Sequence, residues 1–264
     1  MPTKLSADRL QEGLQTKRFG RNIFFSQSID STNEWAKKLA KFGASEGTVA
    51  IAKIQTAGRG RLCRNWISPE GGLWFSVILR PRISASEAVK LVFVAGLVVA
   101  EVLHEQYDLQ AETKWPNDVL IKGQKVCGVL AEMSTTGGKA DFVILGLGVN
   151  ANFHVKIAFP KGLWGTATSI TDETRKKVDL DYLFRALIEK LEDYYGVFLK
   201  DGFGAVLKEW KMYAGFLGRR VDIVDHGERV RGTASDVDED GLLVLKLEDG
   251  SLRHFVIGDV SVLC

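Results

Sequence analysis

Four β-rich runs, "AETKW", "DVLIKG", "KVCGVLAEM" and "DFVILGLGVN", follow one another between Ala111 and Asn150, and "KGQK" reads as a hairpin turn joining the second to the third. Helical patterns precede and follow them without strict alternation. That order predicts an α+β fold, a mixed sheet with flanking helices, over a doubly wound one. The helices are "STNEWAKKLAKFG", with Trp35, Leu39 and Phe42 on one face, a second over "SASEAVKLVFVAGLVVAEVLHEQY", and a long amphipathic third over "DLDYLFRALIEKLEDYYGVFL". Ser31 with Glu34, and Ser84 with Glu87, have the spacing of capping boxes. The strands "GTVAIAKI" and "GGLWFSVIL" flank a 17-residue loop, residues 55–71, and loops of that length without structure of their own are usually functional or mobile.

Past Tyr213 the texture changes to short alternating runs broken by glycine or charge. Five short strands in about fifty residues predict a small barrel, with a boundary near Ala214 and domains at 1–213 and 214–264. The 35 basic residues nearly balance the 33 acidic ones, so no general attraction to nucleic acid or an anionic membrane is expected, and any cationic field must be local. Cys63, Cys127 and Cys264 are too few and scattered for a disulfide framework, and His104, His154, His226 and His254 lack metal spacing. Neither a secretory leader nor a run long enough to cross a bilayer stands out, which points to a reducing, cytoplasmic setting.

The local field is in "QTAGRGRLCRNW". Glycines 58 and 60 let main-chain amides approach a ligand closely, and Arg59, Arg61 and Arg64 offer planar paired donors that suit a carboxylate or a phosphate. Trp66 argues against a merely solvated basic loop. In "KWPNDVLIKGQK", Lys114 ends one strand, Lys125 begins another, and Pro116 forces an extended turn presenting Asn117 and Asp118. Asp118 there could orient a donor or hold Mg²⁺, or with Asn117 could simply close an Asx-turn. "GLGVNA" imitates a dinucleotide fingerprint, but "NFHVKIAFPKG" lacks the helical periodicity that must follow, so the strand end is read as passing close to a ligand, ahead of a loop carrying Trp164. No GxxxxGK[ST], GxSxG or Cys/His signature is present, leaving charge and positioning to carry any chemistry.

Taken in order, "DSTNEW", "QTAGRGRLCRNW", "KWPNDVLIKGQKVCGVLAE", "LGLGVNAN" and "TSI" resemble the biotin protein ligases, from about Phe25 to the C-terminus. The resemblance implies a class II synthetase-like α+β domain followed by an SH3-like barrel. It also implies a two-step reaction, in which biotin and MgATP give biotinyl-5′-AMP and a lysine of a biotin carboxyl carrier protein domain then attacks it. Catalysis would fall to Lys125, Arg61, Arg64 and Asp118. Ser31, Thr32, Asn33, Gln55, Gly58, Arg59, Arg61 and Lys125 would bind biotin; Arg64, Trp66, Lys114, Asn117, Asn150 and Trp164 would bind ATP or the adenylate. A homodimer is implied as well. Only about twenty residues precede the match, fewer than a helix-turn-helix needs, so no operator binding is expected. Leu62 and Cys63 depart from the family's usual residues, and Cys63 suggests sensitivity to oxidation unless it is simply packed. A lipoate-protein ligase and a non-catalytic biotin or nucleotide sensor are the competing readings.

Overall fold

The computed structural model describes residues 5–225, 228–256 and 258–262; His226 and Cys264 lie outside the described residues. In chain order the elements are α1 (Ala7–Gln11), β1 (Ile23–Ile29), α2 (Thr32–Lys41), β2 (Val49–Gln55), β3 (Leu73–Leu79), α3 (Ala85–Ala88), α4 (Leu91–Tyr107), β4 (Ala111–Lys114), β5 (Asp118–Ile121), β6 (Gln124–Thr136) and β7 (Lys139–Val149). There follow α5 (Val155–Ala158), α6 (Ile170–Thr174), α7 (Leu180–Asp201), α8 (Phe203–Met212), β8 (Arg220–Asp225), β9 (Glu228–Val237), β10 (Leu243–Lys246), β11 (Leu252–Phe255) and β12 (Asp259–Val262). Seven strands form one mixed sheet in the order β1-β2-β3-β7-β6-β5-β4, with β1 and β2 parallel and the other neighbours antiparallel. The last five form an antiparallel sheet in the order β11-β10-β9-β8-β12, the small strand-rich unit that the texture past Tyr213 predicts, and it is SH3-like as the resemblance implies.

Strand parity assigns the two faces of the large sheet. Leu73, Phe75, Val77 and Leu79 of β3, with Val143, Leu145, Leu147 and Val149 of β7, point into the main core with α4 and α7. Because α4 is enclosed by the sheet, α7 and α8, its residues are apolar nearly all round, which accounts for the unbroken run from Leu91 to Val99. The alternate residues face the other way: Ala50, Ile78 and Ile144 pack against Ala36 and Ala40 of α2. Further along the same face Trp74, Gly148, Gly128 and Asp118 stand side by side across β3, β7, β6 and β5. Two glycines in the middle of that row leave the sheet bare.

The structure departs from the sequence expectations in a few places. The helix expected over "SASEAVKLVFVAGLVVAEVLHEQY" is two, divided between Ala88 and Leu91, where the Lys90 ammonium is bound by Glu87 at 2.7 Å and by the Glu239 carbonyl at 2.9 Å. Ser84 caps α3 by accepting from the Glu87 amide, whereas Ser31 makes no side-chain cap on α2 and Glu34 is turned to Arg59. The segment after Asn150 holds one helical turn, Val155–Ala158, and a 3₁₀ turn, Lys161–Leu163. Neither β1 nor α8 was expected. The hairpin at "KGQK" is a two-residue turn, with Lys122 and Gly123 both at positive φ and Ile121 paired to Gln124.

The smaller sheet docks onto the β4–β5 end of the larger one. The Thr113 amide donates to the Tyr213 carbonyl at 2.8 Å, the Trp115 indole to the Gly241 carbonyl at 2.9 Å, and Lys211 pairs with Asp236 at 2.6 Å.

Candidate functional site

On the sheet face opposite α4, a cavity of about 240 Å³ opens above the bare glycine row. Its floor is Gly128, Gly146 and Gly148; the N-terminus of α2 closes one side with Ser31, Thr32 and Asn33, and the 55–71 loop arches over it. That loop is not structureless. Gln55 pairs with Ser68 and Arg59 with Asn65 as isolated β-bridges, the Gly60 amide donates to the Arg64 carbonyl at 2.7 Å, and Arg61–Cys63 makes a 3₁₀ turn at the tip. Leu62 and Cys63 hold left-handed backbone, at φ of 52° and 57°, a conformation that side chains with Cβ adopt at a cost.

The glycines of the floor are required by contact. A Cβ on Gly148 would fall 2.5 Å from Trp66 Nε1, and one on Gly128 3.0 Å from both the Trp66 ring and the Lys125 Cε. The indole therefore lies against bare main chain. Among the described residues its buried Nε1 has no partner, and neither has the buried Asn150 Oδ1 on the adjoining wall, leaving one donor and one acceptor open at the cavity. Asn150 is held in place by its amide, which donates to the Thr168 carbonyl at 2.9 Å and the Lys125 carbonyl at 3.3 Å.

Lys125 reaches this face because of a β-bulge. Asp118 pairs with Gly128 and Val119 with Cys127, but the register then shifts so that Leu120 pairs with Lys125. Without the extra residue, Val126, strict alternation would turn Lys125 to the helix-covered side with Cys127 and Val129. Both Val126 and Cys127 are instead buried in the core, and the Lys125 ammonium sits 2.6 Å from Asp118 Oδ1 and 4.9 Å over the Trp66 ring.

Other cations converge from the loop. Arg61 donates to Asn117 Oδ1 at 3.0 Å, and Arg64 pairs at 2.5 Å with Asp259 of β12, so the small sheet contributes a carboxylate to the cavity wall. Arg64 donates a hydrogen bond to Asp259 and holds its carboxyl below the usual carboxylate range. Burial pulls the Arg61 guanidinium and the Lys114 ammonium below their ordinary values, opposed by Asp118 and Asp259. Arg59 lines the cavity but its guanidinium turns outward to Glu34 at 2.8 Å.

Of the residues singled out in the sequence, Ser31, Thr32, Asn33, Gln55, Arg59, Arg61, Arg64, Trp66, Asn117, Asp118, Lys125 and Asn150 share this one cavity wall. Gly58, Lys114 and Trp164 do not. Gly58 lies beneath it, where a Cβ would meet the Trp66 carbonyl at 2.4 Å. Lys114 is half-buried, paired across the strands with Asp118, and Trp164 donates to the Phe159 carbonyl at 2.9 Å from outside the wall, which Phe159 and Leu163 form in its stead. Sequence reasoning missed the last two and Asp259. The floor glycines had a signal, since Gly146 and Gly148 two apart in a strand must share a face; Asp259 had none.

Comparison with known proteins follows the same outline. The family described as the biotin/lipoate A/B protein ligase family matches residues 25–150, and the biotin protein ligase C terminal domain matches residues 216–263. The bifunctional ligase/repressor BirA of Bacillus spizizenii is 34% identical over 262 residues, 99% of this chain and 80% of that protein. The biotin–[acetyl-CoA-carboxylase] ligase of Paracoccus denitrificans is 32% identical over 219 residues, 82% of this chain and 91% of that one. Among solved structures, the biotin protein ligase from Aquifex aeolicus in complex with biotin and ATP is similar at a TM-score of 0.79 and 30% identity, covering 92% of this chain and 99% of that chain.

Proposed function

The chain belongs to the biotin protein ligase family, and from that premise we propose that its cavity joins biotin to ATP as biotinyl-5′-AMP and delivers the acyl group to a lysine of a biotin carboxyl carrier domain. The observation that carries the reading is the convergence of Lys125, Arg61 and Arg64 on a cavity that is apolar at its floor and polar at one end.

Each step asks for that arrangement. Biotin's ureido head offers one carbonyl and two N–H groups, which suits the hydroxyls and amides of Ser31, Thr32, Asn33 and Gln55. The glycine floor, Trp66, Ile67 and Leu130 suit its fused rings and chain. A carboxylate oxygen then attacks the α-phosphorus, forming the acyl–phosphate bond as pyrophosphate leaves. Two unit anions 4 Å apart repel by about 4 kcal/mol at an effective dielectric of about 20, so neutralisation is the main demand. Lys125, Arg61 and Arg64 supply it, and they gain on the transition state as charge develops there. The orphan Asn150 Oδ1 suits an amino group such as adenine's. In the second step the carrier amine attacks the acyl carbon, AMP departs with the bonding pair, and Asp118, exchanged from Lys125 as that ammonium turns to phosphate, takes the amine's proton.

Among the described residues no group of three or more His, Cys, Asp or Glu could hold a metal ion, and Asp118 and Asp259 are each paired to a cation. Magnesium would arrive with ATP, as the MgATP substrate. Among the described residues, likewise, no helix is long and apolar enough to cross a membrane. Pairing of two copies belongs to the same proposal, and sedimentation of the purified chain with and without ligands tests it.

The deciding experiment is exchange of labelled pyrophosphate into ATP. Exchange driven by biotin and not by lipoate, followed by incorporation of biotin into a carrier domain, is expected; exchange with lipoate alone, or biotin binding with no exchange, overturns the reading.

A further inference from the structure

Glu132 on β6 is not part of the cavity wall, yet a chain of hydrogen bonds runs from it to the polar end. Asn33 Nδ2 donates to Glu132 Oε2 at 2.8 Å. An ionised carboxylate only accepts, so this contact decides which end of the Asn33 amide points away from it. Asn33 Oδ1 consequently faces Ser76 Oγ, which donates to it at 2.6 Å. Ser76 is fully buried and its one proton can serve Asn33 Oδ1 or Thr32 Oγ1, 2.8 Å away, but not both; the shorter bond to Asn33 leaves a Thr32 lone pair that Ser76 does not fill, while the Thr32 proton goes to Gln55. Thr32 Oγ1 and the Thr32 amide both meet Gln55 Oε1, at 3.0 and 2.8 Å, and Gln55 Nε2 donates to Ser68 Oγ at 2.7 Å. The amide lies against the bare main chain of Gly146, where a Cβ would fall 2.1 Å from Asn33 Oδ1. Lys37 of α2 places its ammonium 3.8 Å from the same carboxylate.

We propose that Glu132 is a positioning residue for recognition of the ureido head: through Asn33, Ser76 and Thr32 it fixes the sense in which the polar end of the cavity offers donors and acceptors. The inference rests on the reading of that cavity as the biotin site. Without the carboxylate the Asn33 Nδ2 keeps only its long, 3.4 Å bond to the Leu130 carbonyl, so the amide reverses at lower cost, Ser76 can then accept from it, and the Ser76 proton turns onto Thr32. A polar ligand that matched the first arrangement is mismatched to the second, and a mismatched buried polar group is costly.

Biotin-dependent pyrophosphate exchange, with KM taken separately for biotin and ATP, tests this. In Glu132→Leu the KM for biotin is expected to rise about tenfold, the value of one charge-assisted hydrogen bond, with the KM for ATP and the thermal midpoint unchanged. A compensating pair decides independently, even if that variant fails to fold. Asn33→Asp sets two carboxylates together and should raise the biotin KM further. Adding Glu132→Gln lets the new amide donate to one Asp oxygen while the other still accepts from Ser76, and should bring the biotin KM back toward wild type. The inference is overturned by an unchanged biotin KM in folded Glu132→Leu, by equal rises for biotin and ATP, or by a double variant no better than Asn33→Asp alone. Absence of biotin-driven exchange in the unaltered enzyme would instead sink the reading of the cavity, so the two failures are distinct.

Discussion

Lys125 is the residue whose contribution is most separable. Its ammonium is poised between Asp118 and the Trp66 ring, while the ureido end of the cavity is built from α2 and Gln55. Lys125→Ala is expected to slow adenylate formation by about 10²–10³, the usual cost of removing one preorganised charge-stabilising group, while biotin binding measured by calorimetry changes little. The floor gives a steric counterpart. Gly148→Ala puts a methyl 2.5 Å from the Trp66 indole nitrogen, and overpacking of that kind should lower biotin affinity about tenfold with little change in thermal midpoint. The two thiols among the described residues differ by burial. Cys127 is fully enclosed and its thiol is pushed up to about 12, whereas Cys63 is exposed at the loop tip. Alkylation at about pH 8.5, followed by peptide mapping, should therefore label Cys63 and spare Cys127 until the chain unfolds. The arginines and tryptophan of one short stretch, and the lysines of a second, were legible as a ligand site because their chemistry is carried in the side chain. The donor–acceptor sense of Asn33 was not, since it depends on which atoms lie across from it.

Two serines with identical spacing to a glutamate have opposite fates, and the elements around them say why. Ser84 sits at an exposed helix start, where its hydroxyl meets Ser86 and caps α3. Ser31 is buried at the cavity, where Gln55 meets the first amide of α2 and Arg59 takes Glu34. Ser84→Ala should thus cost about 1 kcal/mol in denaturant unfolding, while Ser31→Ala should leave stability nearly unchanged and raise the KM for biotin. The 55–71 loop carries its own bridges and a left-handed pair at its tip, so it is expected to be cleaved slowly even when empty and more slowly still with biotin and ATP; equal cleavage in both states would show that it does not close. Helices and strands with strong periodicity were readable. The break at Lys90 was not, because it is made by a carbonyl and a carboxylate far along the chain or off the helix axis.

At the scale of the whole molecule the small sheet is part of the site. Asp259 reaches Arg64 from β12, and with its carboxyl held below the usual range the pair is present from neutral pH down to the ordinary carboxylate value and is lost as pH falls through the lowered one. Asp259→Asn is expected to raise the KM for ATP several-fold and to speed proteolysis of the loop, with wild type approaching the variant only in acid. The sequence by itself determined the α+β class, the strand-rich barrel and the charged and indole side chains of the cavity, because periodicity, charge and glycine spacing are local properties; Ser31, Thr32, Asn33, Gln55 and Asn150 came from the resemblance of whole motifs in order. Tertiary structure alone decided that Asp259 belongs with Arg64, that Glu132 governs Asn33, and that Lys125 faces the cavity at all. Strict alternation along β6 would have buried that lysine under α4, and a single extra residue in the pairing with β5 turns it outward. Register is a relation between two strands, so neither strand carries it alone.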